Sequence, residues 1–265
     1  MTDRPDHNLE PELSVVLPVY NERENLEPLL AELRAVLPRF VGEWEVVLVN
    51  DGSTDGSAEF LDQAKAEDPR LRVLHLRENR GQSAAMDAGF RAARAPLVVT
   101  LDADLQNDPA DIGLLLDQRH HADVVCGVRV ARHDSWIRRI SSRIANAVRN
   151  RITGESIRDT GCSLKLYRTA YLRRIKMFRG MHRFLPTLLR LEGARVVEVP
   201  VHHRPRRHGI SKYGIRNRAL SGLIDCLAVR WMRARRLDYS LREGLDPNAA
   251  RSEADARDRI SSPRT

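Results

Sequence analysis

The hydrophobic positions in the first half of the chain follow two different periods. Short apolar runs rich in β-branched residues predict buried strands at 13–17, 44–50, 71–76 and 97–101. Between them, leucines recur at helical spacing from Leu26 to Leu37, and Pro38 ends that pattern. Further helices are expected at about 57–67 and from Gln82 onward. The strict alternation of strand and helix predicts an α/β fold with a mostly parallel, doubly wound sheet flanked by helices.

The second half of the chain is less regular. We expect strands at 123–128 and 195–201, and arginine-rich amphipathic helices at 135–150 and at about 215–236. Trp136 and Trp231 stand among those arginines, which is typical of helices that lie in a membrane interface, although core-facing helices with solvated arginines have the same pattern. From about Leu241 the chain is polar and patternless. We therefore expect a main domain at 13–212, an amphipathic helix within 213–240 and a disordered tail at 241–265.

Composition narrows the class of protein and the partners it needs. The 265 residues suffice for one large α/β domain, and 44 Lys and Arg against 36 Asp and Glu give a net charge of +8. Such an excess favours an anionic partner: nucleic acid, an acidic membrane surface or a phosphorylated substrate. Three widely spaced cysteines fit neither a disulfide framework nor a zinc site, which indicates a reducing cytosol. No signal-peptide pattern opens the sequence, and the late apolar stretch at 219–229 is too short for a bilayer, so we expect a cytoplasmic or peripheral protein.

Two carboxylates follow the predicted strand at 97–101. Asp102 and Asp104 stand at its carboxyl end, where open α/β sheets bind their ligands, and Asp108 and Pro109 are suited to begin the next helix. Oxygen ligands at that edge suit a hard divalent cation, Mg²⁺ or Mn²⁺, although both aspartates would also cap a turn. The glycine fingerprint of dinucleotide binding is absent from the sequence, which disfavours a nicotinamide or flavin enzyme.

Several motifs in a fixed order carry a family resemblance. They are VLPVYNE at 16–22, VNDGSTD at 49–55, NRG at 79–81 and LDADLQNDP at 101–109. This set resembles the GT-A glycosyltransferases of family 2, whose fold is Rossmann-like. With DTGC at 159–162, Arg207 and SKY at 211–213, the chain is similar to the polyprenyl-phosphate branch, which includes dolichol-phosphate mannosyltransferase and undecaprenyl-phosphate sugar transferases.

The resemblance implies a role for each matching position. Residues that would hold the nucleotide-sugar are Pro18, Tyr20, Glu22, Asp51, Asp102 and Ala103, with Asp51 reading the base. Asp102, Asp104 and Gln106 would bind the metal and the diphosphate. Contacts to the acceptor and donor phosphates would come from Arg207, Ser211 and Lys212. The residues implied to be catalytic are Asp102, Asp104, Asp159 and Arg207, with Asp159 in the acceptor-side motif.

The expected function is an inverting, metal-dependent transfer of a sugar from a UDP- or GDP-sugar to a polyprenyl phosphate at the cytoplasmic membrane face. A divalent cation neutralises the charge that builds on the leaving diphosphate, and a lipid phosphate is already ionised, so it needs positioning more than a base. A saccharide hydroxyl acceptor is the alternative, and it would need a carboxylate base. An inactive scaffold and a nucleic-acid binder are disfavoured, the latter because no nucleic-acid module accompanies the charge. An anionic membrane surface and a small integral membrane protein are the further expected partners.

Overall fold

A mixed sheet forms the centre of the protein. The computed structural model describes residues 10–130, 146–205 and 215–237. Its strands are β1 (Leu13–Val19), β2 (Trp44–Asn50), β3 (Leu71–His75), β4 (Leu97–Thr100), β5 (Val124–Arg129), β6 (Lys165–Arg168) and β7 (Val196–Val201). They are ordered β3-β2-β1-β4-β6-β5-β7, and within the described residues only β6 runs against its neighbours. The predicted α/β class with a mostly parallel sheet is confirmed.

Helices cover both faces of this sheet. They are α1 (Arg23–Val36), α2 (Ser57–Glu67), α3 (Gln82–Ala92), α4 (Ile112–Leu116), α5 (described at 146–153), α6 (Thr169–Leu172), α7 (Leu185–Leu191) and α8 (Ile215–Ala234). Short 3₁₀ turns lie at Leu37–Arg39, Pro109–Asp111 and Met181–Phe184. The strands therefore lie between two helical layers, which explains why they read as continuous apolar runs.

Alternate side chains of β1 point to opposite faces of the sheet and belong to two different hydrophobic clusters. Leu13, Val15 and Leu17 face a cluster that includes α1, while Val16 faces a second cluster that includes Phe90 of α3. All four β1 side chains are fully buried. This division follows from the two-residue period of a strand, and it fixes the position of the sheet between its two helical layers.

A third, smaller cluster attaches α8 to the rest of the protein. Cys226 and Val229 pack against Met181, Phe184 and Leu188. Within the described residues, no helix is both long and apolar enough to cross a bilayer. The cluster shows that one side of α8 belongs to the core of the folded protein.

The sequence predicted the strands and helices before residue 130 but missed three of those that the structure describes after it. The pattern did not predict β6, α6 or α7. β6 has only four residues, with Lys165 and Arg168 at its ends, so its periodicity is too short to read. Lys165 is nevertheless buried, because its ammonium group donates to the carbonyls of Thr160 and Cys162. Of the predicted helix at 135–150, residues 135–145 lie outside the described ranges, as does the predicted tail at 241–265. The predicted domain limits stay a prediction.

Candidate active site

The carboxyl ends of the parallel strands bring the predicted residues to one edge of the sheet. Val19 of β1 pairs with Asn50 of β2, and Val16 pairs with Thr100 of β4. The strands therefore end side by side, and the loops that follow them start from the same edge. β5 and β7 also end at this edge, since antiparallel β6 separates β5 from β4 and restores the direction.

The loop after β1 is hydrogen-bonded to the loop after β2. The Asn21 amide donates to Ser53 Oγ at 2.9 Å, and the Thr54 amide donates to Asn21 Oδ1 at 2.7 Å. Asn21 has a φ of 52°, a left-handed conformation that asparagine tolerates better than most residues. Glu22 accepts from Asn25 Nδ2 at 2.7 Å. Tyr20 and Glu22 are thus held at the edge on a fixed loop, half-buried rather than covered.

Asp51 holds the NRG segment in place. Its two carboxylate oxygens accept from the backbone amides of Arg80 at 2.7 Å and Gly81 at 2.8 Å. The next residue, Gly52, has a φ of +67°, and a Cβ there would lie 2.6 Å from the Asn79 nitrogen. Close backbone approach therefore requires glycine at this position. The base-reading role of Asp51 stays a prediction; its side chain is buried at this edge, and Pro18 is half-buried.

Asp102 and Asp104 lie in a tight turn at 102–106, directly after β4, which we call the carboxylate turn. Asp102 Oδ1 accepts from Gln82 Nε2 at 2.8 Å, and its amide donates to Ser163 Oγ at 3.2 Å. Asp104 Oδ1 accepts from the Gln106 amide at 3.2 Å. Leu105, which lies between Asp104 and Gln106, has a φ of 61°. This conformation is strained for a leucine and occurs often at functional sites. Ala103 is buried, and Gln106 is half-buried.

The electrostatics of this turn suit a bound cation. Burial, together with the neighbouring charge of Asp104, raises the pKa of Asp102 to about 6, although Ser163 and two nearby cations oppose the rise. Among the described residues, no group of three or more histidine, cysteine or acidic side chains is placed to hold a metal ion. A divalent cation here would therefore take two carboxylates from the protein and further oxygens from a ligand. Magnesium sites that share their metal with substrate phosphates have this composition, so the donor set fits.

A buried ion pair lies beside the same turn. Arg129, at the end of β5, donates to Asp159 through Nε at 2.8 Å and through Nη2 at 2.9 Å. The backbone amides of Arg129 and Gly161 add bonds of 3.3 and 3.2 Å to the same carboxylate. The positive charge of Arg129 also lowers the pKa of Asp102, after the larger effects of Ser163 and Lys165. The catalytic role of Asp159 stays a prediction, but its oxygens are already occupied by Arg129.

The chain that follows β7 crosses over the carboxylate turn. Asn107 and His203 form an antiparallel bridge, and the Arg204 amide donates to the Gln106 carbonyl at 2.8 Å. Asp111, which is buried, accepts from the His202 amide at 2.6 Å. The predicted phosphate contacts Arg207, Ser211 and Lys212 come next in the chain and lie outside the described residues.

Four polar side chains at this edge escaped the sequence interpretation: Gln82, Arg129, Ser163 and Arg204. Arg129 follows the same rule as Asp51 and Asp102, since it ends a strand, and that rule would have found it. Gln82 and Ser163 reach Asp102 from other elements, so the sequence carries no spacing that reveals them.

The sequence resembles those of known proteins. A profile of glycosyl transferase family 2 matches residues 14–176. Dodecaprenyl-phosphate galacturonate synthase of Rhizobium johnstonii is 39% identical over 241 residues, which cover 88% of this chain and 69% of that protein. Undecaprenyl-phosphate 4-deoxy-4-formamido-L-arabinose transferase of Edwardsiella ictaluri is 41% identical over 227 residues, which cover 84% of this chain and 70% of that protein.

Solved structures with the same fold accompany these relatives. A mannosyltransferase of Pyrobaculum calidifontis, in complex with GDP-mannose and Mn²⁺, has a TM-score of 0.58 and 19% identity, covering 98% of this chain and 84% of its own. Glucosyl-3-phosphoglycerate synthase of Mycobacterium tuberculosis, in complex with Mn²⁺, UDP and phosphoglyceric acid, has a TM-score of 0.59 and 17% identity, covering 87% and 81%. At these identities the likeness concerns the fold alone, and it confirms the GT-A-like sheet expected from the sequence.

Proposed function

This chain belongs to glycosyl transferase family 2 and is a glycosyltransferase, and we propose that it transfers a sugar from a UDP- or GDP-sugar to a polyprenyl phosphate. Both curated relatives are named for a prenyl-phosphate acceptor, which supports the lipid. The reaction we propose is one in-line displacement, in which the acceptor phosphate oxygen bonds the anomeric carbon as the nucleoside diphosphate leaves. Such a displacement inverts the anomeric centre.

The observation that carries the choice of acceptor is the engagement of Asp159. A saccharide hydroxyl would need a base to take its proton, and Asp159 is the carboxylate of the acceptor-side motif. Both of its oxygens accept charged hydrogen bonds from Arg129, so they are poorly placed to accept a proton as well. A lipid phosphate needs no such base, because it is already ionised near neutral pH. The ion pair therefore favours the phosphate acceptor.

On the donor side, the protein supplies position and charge. We propose that Tyr20, Glu22 and Asp51 orient the nucleotide, since all three stand on the rigid loops at the sheet edge. Asp102, Asp104 and Gln106 would hold Mg²⁺ or Mn²⁺ against the diphosphate. When bound, the cation stabilises the negative charge of the leaving group.

On the acceptor side, we propose that cations near Asp102 bind the lipid phosphate. Arg129 is 15% exposed in its side chain and held in one orientation by Asp159, so it can present a fixed positive charge to the lipid phosphate. Arg207, Ser211 and Lys212 remain proposed phosphate contacts from the sequence resemblance. Fixed charges that need no rearrangement lower the cost of reaching the transition state.

We also propose that α8 places the enzyme on an anionic membrane surface at the cytoplasmic leaflet. Large apolar side chains on one side of this helix are exposed: Leu223, Ile224, Leu227 and Trp231, by 43, 58, 53 and 63%. Arg230, Arg235 and Arg236 are exposed beside them. Apolar side chains flanked by arginines suit a helix lying in the headgroup region, where anionic lipids add attraction. A small integral membrane partner remains a prediction from the sequence.

The transfer reaction is tested with purified protein, undecaprenyl phosphate, Mn²⁺ or Mg²⁺ and a panel of UDP- and GDP-sugars. We expect one donor to give an acid-labile product that extracts into organic solvent, and EDTA to abolish its formation. Asp102→Asn should lose the product, whereas Asp117→Asn, which changes an exposed carboxylate just after α4, should keep it. The absence of transfer with every donor refutes the proposal, and transfer only to a saccharide favours the hydroxyl-acceptor alternative.

Membrane binding is tested by cosedimentation with vesicles of neutral or anionic phospholipid. Leu227→Glu should weaken binding to anionic vesicles about tenfold, because burying a leucine side chain is worth about 1.5–3 kcal/mol. Leu114→Glu is the matched control, since Leu114 is 41% exposed on α4. Equal binding of both variants and the wild-type protein would exclude this surface of α8.

A further inference from the structure

Arg204 joins three parts of the protein at the candidate active site. Its backbone amide donates to the Gln106 carbonyl at 2.8 Å. Its guanidinium group contacts Asp108 Oδ2 through Nη2 at 2.8 Å and Glu32 Oε2 through Nη1 at 2.7 Å. The side chain is 30% exposed, and these two carboxylates raise the pKa of Arg204 against the opposing effect of its burial. One residue thus contacts α1, the carboxylate turn and the segment that begins the next turn.

Each contact leads to a part of the proposed donor site. Glu32 lies on α1, the helix that begins directly after Glu22. Asp108 caps the turn at Pro109–Asp111 by accepting from the Ala110 amide at 3.0 Å through its other oxygen. Gln106 is the proposed third metal ligand. A displacement of Arg204 would therefore reach the nucleotide side and the metal side together.

A chain of hydrogen bonds extends this connection to Asp102. The Asp102 amide donates to Ser163 Oγ, and the Ser163 hydroxyl donates to Asn107 Oδ1 at 2.7 Å. Asn107 in turn bridges His203, the neighbour of Arg204. Both ends of the carboxylate turn are thereby tied to the segment that Arg204 anchors.

We propose that Arg204 is a positioning residue that sets the geometry of the carboxylate turn, where the metal would bind. This inference rests on the proposed function, because it concerns the cation of that donor site. The guanidinium fork contacts two carboxylates from different elements at once, which a lysine ammonium group at the end of a flexible stem cannot reproduce with the same geometry. Residues that orient metal ligands in this way commonly affect metal affinity without touching the metal.

The competing explanation is that Arg204 only stabilises the fold. Arg34 provides a matched control for that role. It also links α1 to another element through an ion pair, with its Nε 2.9 Å from Asp68, and its side chain is 38% exposed. The two arginines thus have similar exposure, and each pairs with a carboxylate of another element or of α1. Arg204 has a second carboxylate partner, Asp108, and of the two only Arg204 contacts the carboxylate turn.

The experiment measures Mn²⁺ binding by the loss of the free-ion EPR signal, with UDP or GDP present and no sugar or lipid added. We expect Arg204→Ala to weaken Mn²⁺ binding about tenfold and Arg204→Lys to give an intermediate loss. Arg34→Ala should bind Mn²⁺ as the wild-type protein does, even where both alanine variants lower the melting temperature by the same amount. Unchanged Mn²⁺ affinity in Arg204→Ala, or an equal loss in Arg34→Ala, would overturn the inference.

Two further variants separate the halves of the contact. Glu32→Gln and Asp108→Asn each remove one charge, and the side-chain amide oxygen that Asp108→Asn retains can still cap the turn. In combination with Arg204→Ala, each should have little additional effect on Mn²⁺ binding, because the partner is already lost. Fully additive losses would contradict a shared role.

This measurement also separates the inference from the proposed function. If Arg204→Ala binds Mn²⁺ weakly while no nucleotide-sugar gives a lipid product, the inference stands and the acceptor proposal fails. If the lipid product forms and Mn²⁺ binding is the same in Arg204→Ala, only the inference fails. If the wild-type protein binds no Mn²⁺ with either nucleotide and gives no lipid product with Mn²⁺ or Mg²⁺, both fail.

Discussion

Replacing Asp159 by asparagine removes the negative half of the Arg129–Asp159 pair with almost no change in side-chain volume. The pair has two charged hydrogen bonds of 2.8 and 2.9 Å, and its side chains are only 15 and 10% exposed. Removing one partner of a buried pair costs about 3–5 kcal/mol, because the other charge stays buried without compensation. Because the pair keeps some solvent access and asparagine retains one acceptor oxygen, we expect Asp159→Asn to lower the free energy of unfolding by about 3 kcal/mol, the lower end of that range.

Thermal denaturation and kinetics test this expectation together. A loss of about 3 kcal/mol should lower the melting temperature by about 6–12 °C in a domain of this size. Since Asp159 holds Arg129 rather than taking a proton, we expect a higher KM for polyprenyl phosphate, measurable residual turnover and a pH–rate profile of unchanged shape. Asp123→Asn is the matched control, because Asp123 pairs with Arg168 at 3.2 Å near the amino end of β5. It should lower stability and leave the KM unchanged.

A second variant separates charge compensation from catalysis. Arg129→Met combined with Asp159→Leu removes both charges, so stability should recover relative to Asp159→Asn, while transfer should fall below that of Asp159→Asn because the charge of Arg129 is gone. The reasoning is refuted if Asp159→Asn is as stable as the wild-type protein and either abolishes turnover or leaves a residual rate that no longer falls on the acidic side of the pH–rate profile. That result would make Asp159 a general base and would favour a hydroxyl acceptor.

Two further predictions concern the strand ends. Gly52→Ala should destabilise the fold and weaken UDP or GDP binding measured by calorimetry, because the added Cβ would lie 2.6 Å from the Asn79 nitrogen. Gly56→Ala is the control, since a Cβ there meets open space. It should cost only about 1–2 kcal/mol of left-handed strain and leave nucleotide binding unchanged. Burial opposes ionisation of Glu45, but hydrogen bonds from Ser14 and Arg94 outweigh it and hold its pKa below 4.5. The stability that Glu45 contributes is therefore complete above pH 4.5 and lost as the pH falls through the lowered pKa. In urea denaturation across acidic pH, Glu45→Gln should therefore lose less unfolding free energy on acidification than the wild-type protein. Equal losses in the two proteins would contradict this.

The predictions from sequence were reliable where local pattern and local chemistry coincide. α2 at Ser57–Glu67 and the start of α3 at Gln82 agree with the expected positions. Asp108 caps its turn as its residue type favours. The pattern failed at β6, since four residues with charged ends bear no readable period, and their burial comes from the neighbouring strands β4 and β5.

The sequence by itself determined which residues stand at the ends of strands, because a parallel α/β fold places the carboxyl ends of its parallel strands at one edge. Asp51, Asp102 and Asp104 could be located in this way. Only the tertiary structure decided what those side chains contact. The pairing of Asp159 with Arg129 joins positions 30 residues apart, and the contact of Arg204 with Glu32 joins positions 172 apart. Such contacts depend on how the elements pack, and no local spacing records them, so the contacts of Asp159 and Arg204 emerged only from the fold.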